Sequence, residues 1–124
     1  MLTETDYCDY DTCVALKELG FNNLVDWYFN EEKSIVSSLA RYRNTYIPRI
    51  PLYEAQKWLR EEKNIHIEIP IWLTNGGVWK YNFRLQTREF YDRAIGEWDT
   101  YEEALSEGIK EVVRLMLEGK LWLD

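Results

Sequence analysis

The sequence predicts an α+β fold: a mainly antiparallel sheet of three to five strands with three helices packed on one face. Three observations carry that expectation. First, residues 65–85 alternate like a strand pair. Ile65, Ile67 and Ile69 alternate with His66 and Glu68, and Trp79, Tyr81, Phe83 and Leu85 alternate with Lys80, Asn82 and Arg84. Strand side chains point to opposite faces in turn, so one face of this pair is wholly apolar. Second, Thr74-Asn75-Gly76-Gly77 between the two runs is turn chemistry. Third, an apolar sheet face needs a cover, and the flanking segments have helical periodicity.

The helices are expected over 9–19, 51–63 and 100–118. In the first, Cys13 and Leu16 share a side with Tyr10, and Gly20 supplies a left-handed stop. The second opens on Pro51, whose missing N–H costs nothing in a first turn. Its buried stripe is Leu52, Ala55, Trp58 and Leu59, and Asn64 follows as a cap. The third begins with a capping box, Thr100 to Glu103. Tyr101, Ala104, Leu105, Gly108, Ile109, Val112 and Met116 then recur at helical spacing. Gly108 within that stripe costs about 1 kcal/mol against Ala, which a close crossing over the sheet would explain.

Between these elements, Leu24–Phe29 reads as a strand and Asn30-Glu31-Glu32-Lys33 as a turn, with Ile35-Val36 starting a return strand. Leu39 to Pro51 reads as an extended loop, because Pro48 and Pro51 disfavour helix before them. Pro70 marks an edge or a bulge. Glu89 to Ile95 reads as a further strand. The length, 124 residues, fits one domain spanning 1–124.

Composition narrows the function classes. At 46% hydrophobic and 30% charged the chain folds rather than staying disordered. No apolar run approaches the length of a membrane span, and the acidic N-terminus is no signal peptide. The expectation is a cytoplasmic protein with no membrane partner. Cys8 and Cys13, placed on one helix, stand about 7.5 Å apart by rise alone, too far for a disulfide. They read as small buried hydrophobes.

The charge of −7 is unevenly spread: eight acids and one base in residues 1–32, four and ten in 33–88, ten and four in 89–124. A basic middle third lies between acidic ends, so the helices can neutralise the sheet, or the basic surface can meet an acidic partner.

Candidate chemistry is sparse. The single histidine, His66, falls on the polar face beside Glu68 with no nucleophile specified for it. The carboxylate pairs Glu31-Glu32, Glu61-Glu62 and Glu102-Glu103 are sequence neighbours that do not face one another on a helix. Asn75-Gly76-Gly77 joins strands, whereas a phosphate cradle leads into a helix. No catalytic, cofactor or metal residues are assigned, and the chain is read as a non-enzyme needing no cofactor and implying no small molecule.

One stretch stands out. Arg41, Tyr42, Arg43, Tyr46 and Arg49 interleave guanidiniums and rings, making them the candidate partner-binding residues. Arg and Tyr are enriched at protein hot spots. The same pattern suits single-stranded nucleic acid, whose bases stack on rings. A third reading has the rings covering the core and the guanidiniums pairing with acidic helices. The leading function is a non-catalytic interaction module that binds a protein or itself; the alternative is a nucleic-acid-binding accessory protein using loop 41–49.

Two resemblances bear on this. The order helix, strand, strand, strand, helix over Pro51 to Leu117 resembles the double-stranded-RNA-binding domain. That family grips phosphates with lysines at the start of its last helix. Asp99-Thr100-Tyr101-Glu102-Glu103 stands there instead, so the resemblance implies topology alone. The loop Arg43-Asn44-Thr45-Tyr46-Ile47-Pro48, with Lys57-Trp58-Leu59-Arg60-Glu61-Glu62, Asn64-Ile65-His66-Ile67 and Tyr101-Glu102-Glu103-Ala104, resembles small uncharacterised proteins of gut Bacteroidales and their mobile elements or phages. That likeness covers most of the chain. It implies a bacterial or phage setting and no site residues.

Overall fold

A computed structural model describes residues 2–38, 44–88, 91–93 (backbone only) and 96–120. The α+β class is observed, with three helices and antiparallel strands. The chain divides into two compact units, Met1–Ala55 and Gln56–Asp124.

In the first unit, helix α1 (Tyr10–Glu18) is capped by Asp9, whose carboxylate accepts the Thr12 N–H at 2.8 Å. It stops where expected. Gly20 has φ +112°, and the Phe21 N–H reaches back to the Leu16 carbonyl at 3.0 Å. Strands β1 (Trp27–Phe29), β2 (Ile35–Ser37) and β3 (Ile47–Pro48) form an antiparallel sheet in the order β2-β1-β3.

Two readings change here. The first strand is shorter than Leu24–Phe29, and Leu24 is exposed. Tyr28 and Phe29, which alternation places on opposite faces, are both buried. The segment expected to be loop also contributes β3. Pro48 is tolerated in it because β3 is an edge strand.

Helix α2 (Leu52–Lys63) begins in the first unit and continues into the second. Leu52, Ala55, Trp58 and Leu59 are buried as its stripe predicts, and Asn64 ends it at φ +56°.

The second unit holds the hairpin. β4 (His66–Glu68) pairs with β7 (Arg84–Gln86), and β5 (Ile71–Leu73) pairs with β6 (Trp79–Tyr81). The register is the same throughout: Ile67 faces Leu85 and Trp72 faces Lys80. What was expected as one sheet of three to five strands is three small antiparallel sheets, and Pro70 explains the break inside the hairpin. It has no N–H to give, so only the Asn82 N–H to Pro70 carbonyl bond, 3.0 Å, spans that step. β8 (Tyr91–Arg93) adds to β7, as the third-strand reading of 89–95 expects; residues 89–90 and 94–95 lie outside the described residues.

Helix α3 (Tyr101–Leu117) covers the sheet. The Thr100 hydroxyl oxygen accepts the Glu103 N–H at 3.1 Å. The hydroxyl in turn donates to the Glu103 carboxylate at 3.2 Å, so Glu103 reaches the cap side chain. Ala104, Leu105, Gly108, Ile109 and Val112 are buried; Val113 and Leu115 join them, while Tyr101 stays exposed and Met116 half-buried.

Candidate interaction surface

Of the five residues singled out in the basic–aromatic stretch, Arg41, Tyr42 and Arg43 lie outside the described residues. The other two are held by the chain itself. The Lys17 ammonium, in the last turn of α1, donates to the Tyr46 carbonyl at 2.8 Å and to the Asn44 carbonyl. The Thr45 hydroxyl donates to the Glu31 carboxylate at 2.8 Å. The Arg49 guanidinium lies 3.9 Å over the Tyr7 ring, a cation–π contact, and its backbone N–H donates to the Trp27 carbonyl. Tyr46 and Arg49 are both half-buried. Sequence distance hid the Arg49 contact, since Tyr7 belongs to the N-terminal segment.

The remaining candidates stay apart. His66 is exposed and faces Gln86; the residue opposite Arg84 is Glu68, at 3.8 Å between charged atoms. Among the described residues no three His, Cys, Asp or Glu side chains gather as a metal site. Cys8 and Cys13 are buried. They do not share a helix as supposed, because Cys8 precedes the Asp9 cap. The Cys13 thiol approaches the Cys8 carbonyl at 3.7 Å, and its sulfur accepts the Ile50 N–H at 3.4 Å. The hydrogen bond between the two thiols, helped by burial, pushes Cys8 well above the ordinary thiol range.

A different surface emerges at the far end of the hairpin. The odd-numbered face predicted to be core is buried only over its first half. Phe83 and Leu85 are 7% and 1% exposed, but Ile71, Leu73 and Trp79 are 51%, 54% and 54% exposed. Register places Ile71 opposite Tyr81 and Leu73 opposite Trp79, so these four side chains are adjacent on one face. Tyr101 closes the inner border, its ring edge-on to Tyr81 at 6.4 Å between centroids. A groove of about 290 Å³ lies beside this face, lined by Pro70, Trp72, Asn82, Phe83 and Arg84.

The tip is a well-formed turn. The Thr74 N–H donates to the Val78 carbonyl and the Gly77 N–H to the Thr74 carbonyl, both at 2.9 Å. Gly77 has φ +77°, the left-handed residue that closes a three-residue hairpin loop. The turn reading of Asn75-Gly76-Gly77 therefore holds.

The hydrogen-bond register fixes which backbone groups face out. Residues 70 and 82 are a bonded pair, as are 74 and 78. Bonded and non-bonded pairs alternate in an antiparallel ladder, so Trp72 and Lys80 bond to each other. Ile71, Leu73, Trp79 and Tyr81 then turn their N–H and C=O groups outward. Tyr81 shows this directly, since its outward N–H and C=O both pair with Trp98 at 3.0 Å. Along the other side of the hairpin, the Ile65 N–H is taken by the Leu59 carbonyl and the Ile67 carbonyl by the Gln56 amide. Among the described residues, nothing takes the outward groups of Ile71 and Leu73.

No helix among the described residues is long and apolar enough to cross a membrane. Comparison with protein-family models, curated proteins and solved structures finds no match for this chain.

Proposed function

We propose that the chain is a non-catalytic interaction module, cytoplasmic in a bacterial or phage setting, that binds a protein or itself through the tip of the β5–β6 hairpin. The supporting observation is the uncovered end of the apolar face. Single exposed apolar residues are ordinary on a soluble surface, but here Ile71, Leu73 and Trp79 are contiguous and about half exposed. Trp is among the residues that dominate binding energy at interfaces. The internal stacking of Arg49 on Tyr7 weighs against loop 41–49 as a phosphate grip.

The test is affinity enrichment from the native host with the wild type and a Leu73→Lys/Trp79→Lys variant. Protein retained by the first and lost by the second supports the reading, as does the absence of single-strand binding tighter than about 10⁻⁴ M at physiological salt. A salt-sensitive micromolar affinity for single-stranded nucleic acid, lost on replacing Arg41, Arg43 and Arg49 by Gln, overturns it.

A further inference from the structure

We infer that the occupant of the hairpin tip is a second copy of this chain, joined by antiparallel pairing of β5 with β5 about a two-fold axis through Trp72. The inference rests on the interaction-module reading and names the partner. Its basis is the set of outward backbone groups. On β5 these are the N–H and C=O of Ile71 and of Leu73. A two-fold axis at Trp72 sets Ile71 of one copy opposite Leu73 of the other. That is a bonded pair, and its symmetry mate is another. The four N–H groups meet the four carbonyls, with none left over. A foreign strand has to match this spacing, whereas a second copy matches it through symmetry.

The side chains agree with the backbone. Trp72 falls opposite its own copy at the close, non-bonded position of the ladder, where an aromatic pair is favourable. Pro70-Ile71-Trp72-Leu73-Thr74 carries no charge, so the two-fold brings no like charges together despite the overall −7. Edge strands are ordinarily kept apart by charged side chains, above all Lys. β5 has none, and Pro70 guards only its start.

Area sets the strength. Half-exposed Ile71 and Leu73 and the part-buried Trp72 present at most roughly 100 Å² each, so edge pairing of two copies hides less than about 600 Å². A stable complex hides roughly 1,200 Å² or more. The pairing is therefore reversible and weak, in the micromolar-to-millimolar range.

The experiment is sedimentation velocity of the purified full chain over a concentration series reaching about 1 mM, with thermal unfolding to confirm that each variant is folded. The wild-type mass is expected to climb towards that of two copies. Trp72→Glu and Trp72→Lys each place like charges on the axis and are expected to associate at least tenfold more weakly. An equal mixture of the two is expected to regain association. Leu73→Pro is the independent variant: it deletes one outward N–H that the hairpin does not use, and it too is expected to remain a single copy. A wild type that stays single throughout, charge variants that associate like the wild type, or a mixture that fails to associate overturns the inference. If the wild type stays single while the tip variant still loses enriched proteins, a foreign strand is the occupant and the interaction-module reading stands. If neither effect is seen, both fall.

Discussion

Gly108 of α3 and Ile67 of β4 meet at a distance that admits no side chain between them. A Cβ on Gly108 would sit 2.9 Å from the Ile67 Cγ2 and 3.2 Å from the Phe83 Cβ. The Ile67 methyl cannot easily yield, since a β-branched side chain is stiff at χ1. Gly108 thus gives up helix propensity for a close crossing of helix on sheet. Gly108→Ala is expected to destabilise by about 1–3 kcal/mol, the overpacking cost outweighing the ~1 kcal/mol gain in propensity. Adding Ile67→Ala should recover part of the loss. A double-mutant cycle by urea unfolding checks this, and strictly additive effects would count against the contact.

One apolar face of the hairpin should show two energetic regimes. Phe83→Ala, beneath α3, is expected to cost about 3–5 kcal/mol. Trp79→Ala, on the same face but uncovered, should change stability by no more than about 0.5 kcal/mol at concentrations where the chain is a single copy. Chemical denaturation of the two variants is sufficient. A large cost at Trp79 would mean the tip is covered.

The Thr100 hydroxyl satisfies the Glu103 N–H at the start of α3. Thr100→Ala is expected to lower stability by roughly 0.5–2 kcal/mol, and Thr100→Ser to restore most of it. Equal losses in both variants would remove the cap as the cause.

Cys8 and Cys13 should resist alkylation in the folded protein, because both are buried and the thiolate is the reactive form. The raised Cys8 pKa acts in the same direction, whereas the hydrogen bond from Cys8 lowers that of Cys13, so burial alone protects the second thiol. Mass spectrometry after a timed iodoacetamide pulse should show modification only as denaturant unfolds the chain. Rapid labelling at pH 8 without denaturant would contradict the burial.

Much of this architecture was legible in the residues because its causes are local. The α3 boundaries follow from Thr100 and the apolar stripe, and α1 from Asp9 and Gly20, each written within a few residues of the feature it controls. The hairpin itself was readable from its alternation and its turn residues, but not its register, which sets His66 opposite Gln86 and Glu68 opposite Arg84. What could not be read was where the cover ends. Alternation assigns Ile71 and Ile67 to the same face but does not say that α3 covers only the second. The binding stretch was judged by composition, and composition is blind to Arg49 lying over Tyr7, some forty residues earlier in the chain. The strand β3 was hidden by Pro48, a residue that argues against strand except at an edge.

The Tyr81–Trp98 bridge has a consequence for how many copies can join. A hairpin with two open edges is a bifunctional unit: each addition exposes a fresh edge, and growth runs on to a fibre. Here the β6 side is occupied at Tyr81, and the chain turns away into α3 with Lys80 bound to Asp99 beside it. Among the described residues β6 is left with the outward groups of Trp79 alone, against two residues on β5, so β5 is the hairpin's pairing edge. The proposed assembly through β5 consumes that edge in both copies, so this contact terminates as a pair. Loss of the Trp98 bridge would turn a chain-terminating unit into a polymerising one.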